Sequence, residues 1–215
     1  MVPALAALML AGCDYLRPFE QVCEQRLGPA RVRVAASPTQ LRQDFTQSSA
    51  ALTARGAQST GRLVLGVTEA NLKSSVTFGG NGVVKPLSGR YCTRPAVNVT
   101  LAYNPMVVYV AREHPPGSCA HDLTLNHEMK HVRLYERFID ELTGDLETEL
   151  RALLGDRIHY FSGTAEGERR LDAMISEKTA TVIRAAMRGA QQLQADLDSP
   201  EEYGRLDLMQ SKCTG

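Results

Sequence analysis

Between Asp122 and Leu154 apolar residues return every three or four positions. Leu125, Met129, Val132, Tyr135, Ile139, Leu142, Leu146, Leu150 and Leu153 fall on one stripe. A stripe of that period and length fits only a long helix with one buried face. Pro115, Pro116, Gly117 and Ser118 mark its entry and Gly155 its exit. A second stripe, over 165–195, carries Leu171, Met174, Ile175, Val182, Ile183, Ala186 and Leu193. The short connector between them predicts a helical hairpin.

The region before the hairpin has a different period. "RVRVA" at 31–35, "RLVLGVTEA" at 62–70 and "AVNVTLAY" at 96–103 read as strands. "MVVYVARE" at 106–113 follows Asn104-Pro105, and the two runs around that pair predict a β-hairpin. "SPTQLRQDFTQSSAALTARGAQSTG" predicts a short helix and loops. Gly79-Gly80-Asn81-Gly82 predicts a turn. The fold class is therefore α+β. A mostly antiparallel β part over 31–113 precedes a helical part over 119–212, in one domain over 31–215. At 43% apolar residues, a chain of 215 can bury a core of that size.

The first long helix contains "HEMKH". His127 and His131 lie four apart, on one face and one turn from each other. Two imidazoles so placed can reach one tetrahedral Zn2+. Glu128 points ~100° round the helix, which puts a carboxylate beside the metal. There it can take a proton from activated water and pass it to a leaving amine. Glu128 is thus the candidate catalytic residue, and His127 and His131 are the candidate metal ligands. The run 106–113 is the candidate strand for binding an extended substrate by backbone pairing.

A third ligand has to come from another element. If the two long helices are antiparallel, residues near 185–202 return to the level of the motif. Asp198, Glu201 and Glu202 are then candidates, and Glu177 competes if the first helix breaks at Gly144. Tyr203 could stabilise an oxyanion or simply pack. His114, His121 and His159 read as polar loop residues.

The chain starts "MVPALAALMLAGC". This stretch resembles a bacterial lipoprotein signal with a Leu-Ala-Gly-Cys cleavage box. The resemblance implies removal of residues 1–12, lipid on Cys13, a tether over 13–30 and a membrane-anchored protein facing the periplasm. Four further cysteines, Cys23, Cys92, Cys119 and Cys213, suit an oxidising compartment and two disulfides. Of the three connectivities, placement along the chain favours Cys92–Cys119 and Cys23–Cys213. The 24 basic and 24 acidic side chains balance, with no basic block, which argues against a nucleic-acid partner.

From "RYCTRPAVNVTLAYNPMVVYV" through "SCAHDLTLNHEMKHVRLYERF" the sequence is similar to a family of small secreted bacterial proteins of unknown function, grouped with zinc-dependent proteases. The resemblance implies a minimal zincin-like domain and carries over His127, Glu128 and His131. The expectation is a membrane-anchored zinc metallohydrolase of the bacterial envelope, most simply a peptidase, whose partner is a peptide or envelope-protein substrate. The alternative is a non-catalytic envelope lipoprotein that uses the same scaffold for binding or assembly.

Overall fold

The computed structural model describes residues 17–55 and 63–213. Cys13, the cleavage box and residues 13–16 of the expected tether lie outside the described residues. In chain order the elements are α1 (Phe19–Arg26), β1 (Arg31–Ala36), β2 (Leu41–Asp44), α2 (Ser49–Arg55), β3 (Gly66–Gly79), β4 (Gly82–Val84), β5 (Tyr91–Thr93), β6 (Ala96–Val110), α3 (Cys119–Leu154), β7 (His159–Phe161), α4 (Thr164–Leu197) and α5 (Pro200–Gln210). A 3-10 turn, Ser211–Cys213, follows. The architecture is α+β, with a sheet region leading into long helices. The two predicted long helices both form, and α3 runs on through Gly144.

The chain divides into two compact units that share it in alternation. The described residues of the first unit are 17–33, 76–98 and 148–179; those of the second are 34–55, 63–75, 99–147 and 180–213.

In the first unit β4, β5 and β7 form an antiparallel sheet. The stretch expected as a tether holds α1 instead, and α1 belongs to the core. Phe19, Cys23 and Leu27 cluster with Cys92, and Val83 and Ile158 pack against them. Burying such side chains contributes about 1.5–3 kcal/mol each, which is why this segment does not hang free.

In the second unit β6 is the central strand, with order β1-β6-β2 and β3 also paired to β6. Val99, Leu101 and Tyr103 alternate as buried residues, and the Tyr103 ring meets Tyr135 of α3 edge-on at 5.3 Å. The hairpin expected at Asn104-Pro105 does not form. The strand runs straight on through that bond, which is cis, and β2 pairs parallel with Met106–Tyr109. The expected antiparallel β part is therefore partly parallel. Every residue from Met106 to Ala111 is buried. A strand covered on both faces belongs inside a sheet, not at the edge of a hairpin. Leu52 of α2 covers Val107, Tyr109 and Ala111. In α3 the predicted stripe is the buried one at Val132, Ile139, Leu142 and Leu146.

Two disulfides form, but not with the expected pairing. Cys23 bonds to Cys92 within the first unit, and Cys119 to Cys213 within the second. The reason lies in the two helices at the ends of the chain. Packing α1 beside β5 brings Cys23 to Cys92, and α5 carries Cys213 back to the start of α3. Non-reducing peptide mapping should therefore recover Cys23 linked to Cys92 and Cys119 linked to Cys213. Replacing Cys119 and Cys213 together by Ser should lower stability by roughly 2–4 kcal/mol in denaturant melts, since a cross-link over a loop this long restricts the unfolded chain.

Candidate metal centre

The first half of α3 presents His127 and His131 on one face, both buried. Their Nε2 atoms lie 3.3 Å apart. The third member comes from the joint between α4 and α5. After Leu197 the chain turns, with the Asp198 N–H bonded to the Ala195 carbonyl at 3.1 Å. Ser199 then caps α5, its hydroxyl accepting from the Glu202 N–H, and Pro200 takes the first helical position. This joint brings Asp198 Oδ1 to 3.0 Å from His127 Nε2 and 3.1 Å from His131 Nε2. The three ligand atoms lie within 4.8 Å of one another and could hold a metal ion.

The donor chemistry fits a cation. The Gln194 carbonyl oxygen bonds His131 Nδ1, and its amide reaches the His131 carbonyl at 3.5 Å. An acceptor on Nδ1 places the proton there and leaves the Nε2 lone pair facing inward. Two imidazole nitrogens and a carboxylate oxygen then converge on one point, a donor set that a cation can bridge. Their separations resemble the edges of a tetrahedron with metal–ligand bonds of about 2.0–2.1 Å. Without a metal the charge falls to a proton. Burial opposes it, but the bond with Asp198 prevails and raises the His131 pKa. Asp198 is held below the usual carboxylate range: burial would raise it, and the two histidines outweigh that.

Glu128 is 5% exposed. Its Oε2 accepts from the Thr68 hydroxyl at 2.7 Å. Burial pushes its pKa up, against the neighbouring histidines and the Thr68 bond. Gly66 of β3 lies directly over it: a Cβ there would come within 2.6 Å of Glu128 Oε1 and 2.7 Å of Thr124 Cγ2. Gly66, Val67 and Thr68 border a cleft of about 700 Å³ together with Glu128, His131 and Asp198. The strand beside the candidate site is thus β3. Of the run 106–113, expected in that place, 106–110 form the last part of β6 and 111–113 lie past its end.

Of the other expected ligands, Glu202 lies near without joining the group. Its carboxylate is 3.8 Å from His127 Nδ1 but is bonded by Arg205, at 2.6 and 2.9 Å, and by Lys130. These cations pull its pKa down to about 2. Glu201 is exposed, and Glu177 belongs to the first unit. Tyr203 stands beside His127 with ring centroids 6.1 Å apart. His121 is not a loop residue: it lies in α3, buried, with Nδ1 3.0 Å from the His114 carbonyl and its ring edge-on to Phe45. His159 lies in β7 of the first unit.

Gly66, Thr68 and Gln194 were not singled out by sequence reasoning. Only Gly66 carried a signal, as a glycine inside a strand pattern, which often marks a close approach. Comparison with known proteins returns no matching family model, no similar curated protein and no similar solved structure.

The close approach at Gly66 is testable by stability. Gly66→Ala should cost about 1–3 kcal/mol by overpacking, read from denaturant midpoints. The cost should shrink when Glu128→Ala is also present, because one of the two clashing side chains is gone. An equal cost in both backgrounds would mean that Gly66 does not pack on Glu128.

Proposed function

We propose that this protein is a zinc-dependent hydrolase, and specifically a peptidase. One observation carries the reading: three metal-type donors converge beside a buried glutamate on the same turn of helix, and the group opens onto a cleft. His127, His131 and Asp198 would hold the ion. Zinc, when bound, supplies Lewis acidity that polarises a carbonyl and makes water nucleophilic near neutral pH.

The protein's own residues do the rest. Glu128 takes the proton of the attacking water on its carboxylate and returns it to the leaving amine. Burial raises its pKa, which favours taking up that proton. Thr68 fixes one carboxylate oxygen, so that the other faces the reaction. Gln194 holds the His131 ring and its tautomer. Along one wall of the cleft, β3 offers an extended backbone beside which a peptide can lie. Placement in the bacterial envelope, with lipid on Cys13 as the anchor, follows from the resemblance at the N-terminus and suits a chain with two disulfides.

Purified protein should carry about one zinc per chain by elemental mass spectrometry, the stoichiometry of a single three-ligand site. His131→Ala and Asp198→Ala should lose it. Gln194→Leu should weaken zinc binding by about 10–100-fold, the usual effect of removing a partner that orients a ligand. Glu128→Gln should keep zinc and lose peptide hydrolysis by at least about a hundredfold. Full hydrolysis in Glu128→Gln sinks the mechanism. Failure of the reloaded wild type to hold zinc leaves the cluster as a hydrogen-bonded network and favours a binding module.

A further inference from the structure

Glu128 stands between two cavities of the second unit. One is the open cleft described above. The other is a separate pocket lined by Leu63, Val64, Leu65, Leu123, Leu206 and Tyr203. Val64, Gly66, Glu128 and Tyr203 line both cavities, so they form the shared wall. His127 and Glu128 also line the pocket, which brings it against the candidate reacting centre. Its polar lining residues do not make it a polar site. Asp207 is exposed, the Gln210 amide nitrogen lies 3.3 Å from His114 Nε2, and the Thr124 hydroxyl donates to the Ala120 carbonyl at 2.9 Å.

We infer that this pocket is a side-chain subsite that selects an aliphatic residue next to the bond being cleaved. The inference rests on the zinc hydrolase reading and adds a substrate class to it. Size and chemistry argue together. The pocket holds about 90 Å³, well below the ~150 Å³ of an apolar cavity that takes benzene. A branched aliphatic side chain fits that volume and an aromatic ring does not. An anionic side chain would be stripped of water against leucine and set beside the carboxylates of Glu128 and Asp207, and the long chain of a lysine or arginine exceeds the volume. A substrate that straddles Glu128 therefore lays its backbone in the open cleft and places one aliphatic side chain in the pocket. Leu123 on α3 and Leu206 on α5 are the specificity-determining residues, because they are the lining leucines that the two helices supply.

The test uses small hydroxamates, whose metal-binding head is constant and whose tail varies. Binding of acetohydroxamate, 3-methylbutanohydroxamate and phenylacetohydroxamate to zinc-loaded protein is measured by calorimetry. The isobutyl tail should bind at least about tenfold tighter than the methyl tail, since each buried methylene adds affinity, and tighter than the benzyl tail. Leu206→Ala should enlarge the pocket and raise the affinity ratio of benzyl to isobutyl by about tenfold, and Leu123→Phe should erase the isobutyl advantage. The two variants act in opposite directions, so loss of fold cannot produce both results. An isobutyl tail no better than methyl, or ratios unchanged in both variants, overturns the subsite while leaving the metal centre standing. Failure of all three hydroxamates to bind overturns the zinc reading itself.

Discussion

The second unit turns on the carboxylate of Asp198 lying between two histidine nitrogens. His127 and His131 are buried on α3, and neither can be placed there at low cost without a partner. A buried polar group left unsatisfied costs on the order of 1–3 kcal/mol, and a charge more. Asp198 meets the Nε2 atoms of both histidines with one oxygen, while the buried His127 Nδ1 has no hydrogen-bond partner among the described residues. The end of α4 therefore has to return to this level of α3, and the α4–α5 joint has to turn where it does. The Ser199 cap and Pro200 make that turn cheap.

The surrounding groups support the proposed chemistry. Packing alone would be served as well by apolar residues of similar volume. Here the buried turn carries two imidazoles and a carboxylic acid, each with an orienting partner: Gln194 for His131, Thr68 for Glu128, Asp198 for both histidines. Gly66 leaves room for Glu128 by having no side chain of its own. Such precision around ionisable groups is what chemistry at a site requires and what a stable core does not.

How much of this was legible in the sequence differs by element. The α3 stripe was readable because each residue of a helix answers to its own turn, and the same geometry pairs His127 with His131. The partner from α4 was readable only as a set of acids near the hairpin's end, since nothing local to "LDSPEEYG" states which of them turns inward. Asp198 wins because it sits in the joint, before the cap, while Glu201 and Glu202 lie within the first turn of α5. The β6 misreading has a related cause. Asn104-Pro105 is a local turn signal, but the burial of Met106–Ala111 and the parallel pairing with β2 are long-range facts that override it. The disulfides failed for the same reason, because their pairing depends on where α1 and α5 dock.

The two cross-links also differ in kind. Cys23–Cys92 lies inside an apolar cluster that would hold α1 in place by itself. In α5, by contrast, no residue is buried. Its position follows from contacts along its length: the Ser199 cap and the Glu202 pairing with Lys130 at the start, Tyr203 beside His127, Gln210 at His114, and the Cys119–Cys213 bond just past the end. Yet α5 follows Asp198 directly and supplies Tyr203 and Leu206 to the walls around Glu128. A helix without buried residues of its own depends on such polar, aromatic and covalent contacts to hold its side chains in place. The Cys119–Cys213 bond is therefore part of the candidate site in its consequences, although neither sulfur belongs to the donor group.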